Sequence, residues 1–292
     1  MNIANKIRIR KATTDDLEGA FPMIDQQNWY WTKPEVASVL EKGQHHSLVA
    51  MLGDDIAGIL FALKNNGFAT WTHLIVKEHY RNAGIGGQLI ARNLEDLSRS
   101  GVKDFDIIAV SNKVGYYKNF DFNATEEILC YERAADQAMV YGSRPASACC
   151  RAVDLHDLKK TGALSMLESS TSCSLGQFTG GLVYNNTSPV IGLYEEEALK
   201  GIMVTHLAPN DIELGPWFIR DITIEKAKQM LVYASGLAEN KNICLSISSK
   251  NQLAKDLVDS ERFAFTERLT RMVRPEKAAQ ALNENLVSIG KF

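Results

Sequence analysis

The sequence predicts an α+β fold, a mixed sheet flanked by helices, repeated in tandem with the second copy degenerate. Three observations carry this. Residues 1–135 run in the order strand, helix, helix, three strands, helix, strand, helix, strand, and the same order returns beyond residue 150. The 31-residue spacing from Arg81 to Asn112 recurs from Arg220 to Asn251. The chain's 292 residues accommodate two domains of ordinary size.

Lys6 to Ala12 (KIRIRKA) alternates apolar and basic residues at period two, the mark of a strand. TTDDLEGAFPMI follows with capping side chains and helical spacing. In PEVASVLEKG, Pro34 sits in a first helical turn and Gly43 at the stop. Three β-rich runs between His46 and Arg81 are broken by Gly53-Asp54-Asp55 and Asn65-Asn66-Gly67, so they read as an antiparallel meander. Ile85, Leu89, Ile90, Leu94 and Leu97 then recur on one face of a helix opened by glycines and stopped by Gly101. FDIIAV (Phe105 to Val110) reads as a buried strand, NKVGYYKNF as a short helix and ATEEILCYERA as a closing strand.

AMVYGSRPASA, small and rich in Pro, Gly and Ser, is the linker candidate, with the boundary near Gly142. The expected domains are residues 1–140, a linker over 141–149, and residues 150–292. In the second, RAVDLHDLKKTGALSMLESS reads strand then helix, and VIGLYEEEALKGIMVTHLAPNDIELGPWFI as consecutive strands. IEKAKQMLVYASGLAENK is helical, ICLSIS is a strand, a helix starts near Asn251, and FTERLTRMVR closes the copy.

Composition narrows the function. With 45% hydrophobic and 23% charged residues the chain is ordinary globular protein. A net charge of −3 gives no reason to expect nucleic acid as partner. Five cysteines, with Cys149 and Cys150 adjacent, lack metal-type spacing and read as reduced thiols, so no metal is expected. No apolar run reaches the roughly 18 residues of a membrane span, and no signal-peptide core follows Met1. A cytoplasmic location away from membranes is the expectation.

The chemistry concentrates in YRNAGIGGQLI, Tyr80 to Ile90, at a strand-to-helix junction. A helix N-terminus offers unpaired N–H groups and a positive dipole end, which stabilise a phosphate. Glycines 84, 86 and 87 lack a Cβ, so backbone and phosphate can approach closely. Gln88 follows Gly87 where a Walker loop needs lysine, and Leu89 stands where the dinucleotide fingerprint needs glycine.

Arg81-Asn82-Ala83-Gly84-Ile85-Gly86 resembles the Arg/Gln-x-x-Gly-x-Gly/Ala signature of the GNAT acetyltransferase superfamily. Tyr116-Tyr117-Lys118-Asn119-Phe120-Asp121-Phe122 is similar to that family's FYxxxGF pattern, with Asp121 in place of the glycine. The element order of residues 1–135 matches throughout. The resemblance therefore implies two tandem GNAT-like acyl-CoA N-acyltransferase domains. It implies acetyl-CoA as cofactor and a small-molecule or amino-acid amine as acceptor. Main-chain groups of Leu74, Ile75 and Val76 would pair with the pantetheine arm. The amides of Asn82, Ala83, Gly84, Ile85, Gly86 and Gly87, behind Arg81, would hold the pyrophosphate, and Asn112 would contact the pantetheine. Tyr117 would be the general acid that protonates the departing thiolate, a phenol of ordinary pKa about 10 serving a thiol near 8.5.

The attacking amine, of ordinary pKa near 10.4, must first lose a proton. ATWTHLIV carries no carboxylate, so the acceptor of that proton is either His73 or a water held by Thr70 or Thr72. A catalytically silent acyl-CoA sensor is the competing class. In the second copy the loop reads Arg220-Asp221-Ile222-Thr223-Ile224-Glu225, without glycine and with two acids that would repel a pyrophosphate. The FTERLTRMVR tail of residues 145–275 resembles the C-terminal GNAT-like domain of some bacterial acetyltransferases. Its expected role is a dimerising or structural one, or a wall of the acceptor pocket. Glu195, Glu196 and Glu197 could attract an amine, and Trp29, Trp31 and Trp217 could line the pocket.

Overall fold

The structure is a computed structural model and describes residues 6–27, 29, 31–41, 46–65, 67–137, 149–153, 189–275 and 282–290. Most of the linker candidate and most of the first helix expected in the second copy lie outside these residues.

The first half follows the anticipated order. Strand β1 (Arg8–Lys11) leads to helices α1 (Leu17–Asp25) and α2 (Lys33–Glu41). The meander is β2 (Leu48–Leu52), β3 (Asp55–Asn65) and β4 (Phe68–Val76). Then come α3 (Ile85–Arg99), β5 (Asp104–Val110), α4 (Val114–Lys118) and β6 (Asn123–Arg133). The second half contributes β7 (Cys149–Ala152), β8 (Val190–Glu195), β9 (Ala198–Leu207), β10 (Asp211–Ile219), α5 (Ile224–Ala238), β11 (Asn242–Ser248), α6 (Gln252–Ser260) and β12 (Ala264–Arg274). A three-residue strand, β13 (Leu286–Ser288), follows, which no sequence pattern predicts.

Periodicity explains the layers. Ile85, Leu89, Ile90 and Leu97 of α3 are fully buried on one sheet face with Leu60, Trp71 and Phe105, while α1 and α2 bury Met23, Ile24 and Val36 on the other. Each such side chain contributes about 1.5–3 kcal/mol. Asn93 is the polar exception on α3: its Oδ1 accepts from Trp71 Nε1 at 2.9 Å and its Nδ2 donates to the His46 carbonyl at 2.5 Å, which satisfies it in place.

All thirteen strands of the described residues form one sheet, in the order β1-β2-β3-β4-β5-β12-β6-β11-β10-β9-β8-β7, with β13 on β10. The two closing strands have changed places. β12, at the end of the second half, pairs with β5 of the first (Leu269↔Val110 to Arg274↔Phe105), and β6 of the first half pairs with β11 of the second (Ile243↔Arg133 to Ser248↔Ile128). β6 and β12 also pair with each other, so the halves share a continuous ladder.

A buried ion cluster sits at this exchange. Arg271 on β12 lies 3.6 Å from Asp106 on β5 and 3.4 Å from Glu126 on β6, and Ser248 of β11 donates to Glu126 at 2.6 Å. All four side chains are buried.

A second buried pair joins α2 to the second half. His206 Nδ1 donates to Glu35 at 2.9 Å and its Nε2 donates to the Gly215 carbonyl at 3.0 Å, while Glu35 also accepts from the Thr32 amide. Although burial opposes charge on both, the hydrogen bond and attraction to Glu35, with Glu213 nearby, raise His206 above 6.5, and the same bond with the Thr32 contacts lowers Glu35 below 4.5. The His206 contribution to stability is present below pH 6.5 and lost as pH rises through its raised folded value. That of Glu35 is present above pH 4.5 and lost as pH falls through its lowered value. Thermal melts should therefore show the wild type's stability advantage over His206→Gln greatest between pH 4.5 and 6.5 and shrinking toward pH 9. Parallel pH profiles for the two proteins would overturn the assignment.

Candidate functional site

β4 and β5 pair in parallel only from Phe68↔Asp104 to Trp71↔Ile107, and beyond that they diverge. The gap opens a cleft of about 500 Å³ bounded on one side by Leu74, Ile75 and Val76 and on the other by Ile107 to Val110. The loop residues Tyr80, Arg81, Asn82, Gly84, Ile85, Gly86 and Gly87 also line it, as do Lys113, Tyr116 and Tyr117. Elsewhere Gln27, Trp29 and Thr72 line the cleft.

The loop geometry suits an anion. Gly84 is the N-cap of α3 at φ +78, a left-handed conformation that strains any residue with a Cβ, and no side chain caps the helix. The first backbone bond of the turn is Gln88 N–H to the Gly84 carbonyl, which leaves the amides of residues 85–87 directed toward the cleft end of the helix. At Gly86 a Cβ would lie 2.8 Å from the Tyr116 hydroxyl, so that phenol sits directly over the loop. Arg81 braces the loop by donating from Nε to the Val76 carbonyl at 3.2 Å.

Tyr117 is buried, with its ring edge against Tyr116 and Phe122. Burial, with Tyr116 a lesser cause, raises its pKa above the usual phenol value, so the hydroxyl stays protonated and able to donate. Asp121, where the family pattern has glycine, adopts φ +62. Aspartate is among the residues that tolerate this region, so the turn that brings Phe122 N–H back to the Tyr117 carbonyl at 3.3 Å is kept.

Three expected residues are not brought to the cleft. Ala83 packs partly buried against the core. Asn112 is exposed in a 3₁₀ turn after β5, and Lys113 takes the place facing the cleft. His73 does not line the cleft but packs behind Thr72 and Trp29, which do; it is 1% exposed, among the rings of Trp29, Trp31 and Phe61 at 4.7–5.9 Å. Burial pushes its pKa down to about 3, its Nδ1 is bonded to Thr72 Oγ1 at 2.9 Å, and its Nε2 is buried without a partner. An imidazole of pKa about 3 is far too weak to take a proton from an alkylammonium. Thr72, in contrast, lines the cleft. Trp217 is core, and Glu195 and Glu197 sit at a hairpin paired with Lys226 and Arg151.

The second half repeats the divergence of strands but not the opening. β10 and β11 pair in parallel from Asp211↔Asn242 to Glu213↔Cys244 and then separate. The chain's own β13 enters that gap, pairing with β10, and the Ile289 N–H donates to the Ser246 carbonyl of β11 at 2.8 Å. Asn251, the counterpart of Asn112, donates from Nδ2 to the Leu286 carbonyl at 2.9 Å. Helix α5 caps itself, Thr223 accepting from the Lys226 amide, and Glu225 occupies its first turn. Both features remove the attraction for a phosphate.

This combination of a split sheet, a glycine-capped helix at its mouth and a buried tyrosine opposite is the architecture of the GNAT acetyltransferase fold, here in tandem form. Residues 22–141 match the family model described as "Acetyltransferase (GNAT) domain". Among solved structures, an acetyltransferase candidate from Pyrococcus horikoshii superposes with a TM-score of 0.77 at 20% identity, over 97% of this chain and 94% of that one. A tandem GNAT protein from the clavulanic acid biosynthesis pathway gives 0.69 at 12% identity, over 94% and 99%. A GCN5-related N-acetyltransferase from Sphaerobacter thermophilus gives 0.63 at 11%, over 98% and 97%. A search among curated proteins found no match. Among the described residues no helix is long and apolar enough to cross a membrane.

Proposed function

We propose that this chain transfers an acetyl group from acetyl-CoA to a primary amine of a small molecule by direct attack. The observation that carries this reading is the open N-terminus of α3, with Gly84 at φ +78, facing along a strand gap that ends at Tyr117. The donor would supply a thioester whose carbonyl carbon accepts the amine nitrogen. The amides of residues 85–87 would bind its diphosphate, and Lys113 could add a positive charge on the facing wall. The edges of Leu74 to Val76 would hold its pantetheine as an added strand. β13 supports this by analogy, being an extended chain held in the equivalent gap of the second half through backbone bonds and Asn251. Tyr117, kept protonated by burial, would deliver a proton to the departing sulfur.

One observation favours a silent acyl-CoA sensor instead: no carboxylate stands on β4, and His73 is locked neutral. Tyr117→Phe separates the readings. For the enzyme, kcat should fall about 100-fold while calorimetric CoA affinity stays within a factor of two. CoA binding by the wild type with no acceptor-dependent thiol release across an amine panel would establish the sensor.

A further inference from the structure

The cleft continues into a smaller cavity of about 40 Å³ that shares Trp29, Thr72, Ile108 and Val110 with it. Its remaining walls come from β6 and the second half, through Ile128, Ser246, Glu267, Leu269, Ile289 and Gly290. Such a space holds an ammonium group and a few carbons, not a large acceptor. Among the described residues lining the cleft and the cavity, Glu267 is the single carboxylate.

Its placement follows from the strand exchange. β12 runs against β5 with Leu269 opposite Val110, and against β6 with Leu269 opposite Ile128 and Glu267 opposite Cys130. Period-two alternation puts Leu269 and Glu267 on one sheet face. One step further the register shifts, Phe265 pairing with Tyr131, so the extra residue Thr266 forms a bulge that carries Phe265 to the other face against the Tyr131 ring. Glu267 is thus the last side chain of β12 turned to the cavity. Ser246, opposite Cys130 on β11, continues the same row as a polar wall. The rest of the lining is apolar, and a carboxylate set against apolar walls selects a cationic head on an aliphatic body.

We propose that Glu267, lent to the first half on the exchanged strand, binds the acceptor ammonium and takes its first proton, and that the acceptor is a small aliphatic primary amine. This rests on the transferase reading. In the step, the ammonium gives one proton to the Glu267 carboxylate, which passes it to solvent. The freed nitrogen lone pair forms the C–N bond, the C–S bond breaks with its electron pair on sulfur, and the nitrogen's second proton balances the one that Tyr117 delivers to the thiolate. The products are the acetamide, CoA thiol and one released proton. The second half is then part of the reaction centre, because the base that β4 lacks arrives on β12.

The test compares wild type, Glu267→Gln and Glu267→Asp with n-butylamine as acceptor. Glu267→Gln should lower kcat/KM about 10- to 100-fold, with Glu267→Asp recovering part of that loss and CoA affinity unchanged in both. A kcat/KM within twofold of wild type would overturn the proposal. NMR titration with n-butylammonium and 1-butanol reads the site without turnover. Affinity for the ammonium alone should fall about tenfold in Glu267→Gln, and an equal response of both probes would also overturn it. Loss of CoA binding by the wild type would instead sink the transferase reading, leaving the ammonium titration as an independent measure of Glu267.

Discussion

Gly84→Glu abolishes acetyl-CoA binding: that is the largest effect expected at the cleft, and two separate costs produce it. A residue with a Cβ held at φ +78 is strained by about 1–2 kcal/mol relative to glycine. The carboxylate would also sit at the helix end proposed to hold the diphosphate, where like charges about 4 Å apart repel by roughly 4 kcal/mol near a protein surface. Together they exceed the few kcal/mol that separate micromolar binding from none, so calorimetry should show Kd weakened more than about 100-fold. Gly84→Ala isolates the first cost. Space is not the obstacle there, since nothing lies within 4 Å of an added Cβ. The alanine variant should therefore bind CoA with a modest loss, and its melting temperature should drop by a few degrees at most. Wild-type affinity in Gly84→Glu would mean that the phosphates bind elsewhere.

The parts of this site that the sequence disclosed are those set by local rules. The periodic apolar face of α3, the hairpin turns of the meander and the glycine loop each depend on residues a few positions apart, and all appear where expected. What stayed hidden depends on partners far apart in the chain. Nothing in FTERLTRMVR marks β12 as the neighbour of β5 rather than of β11, because its alternation would satisfy either edge. In the exchanged arrangement Arg271 lies between Asp106 of β5 and Glu126 of β6. Glu35 and His206, 171 residues apart, carried no signal for the same reason. β13 has three residues and no period to read. His73 illustrates the same limit: a register shift in β4, where β3 pairs Phe61 with His73 and Ala62 with Trp71, leaves Thr72 lining the cleft and His73 bonded behind it among aromatic rings, and no local pattern marks that bulge. In β12, where pairing is regular from Glu267↔Cys130 to Leu269↔Ile128, alternation does place Glu267 beside Leu269.

Arg271→Ala should be the most destabilising single change at the junction of the halves. The guanidinium is 5% exposed and faces Asp106 and Glu126, both buried, so its removal leaves two carboxylates without a cation in the middle of the sheet. Breaking a buried pair from one side costs about 3–5 kcal/mol, which corresponds to a melting-temperature loss of roughly 10 °C in a chain of this size. The cost comes mainly from the stranded charges, not from lost attraction. Arg271→Met alone should therefore be nearly as damaging, whereas Arg271→Met combined with Asp106→Asn and Glu126→Gln should recover much of the loss, the cycle yielding a coupling well above 1 kcal/mol. Additive effects would show that the cluster does not hold the exchange. Because β12 is the strand that carries Glu267 into the cavity, the single variant should also raise KM for the amine at temperatures well below its melting point, while the cleft proposed for CoA, bounded by β4, β5 and α3, keeps its affinity. A matching loss of both would place the two sites in one cooperative unit, and a loss confined to the amine would tie acceptor binding to the strand that the halves trade.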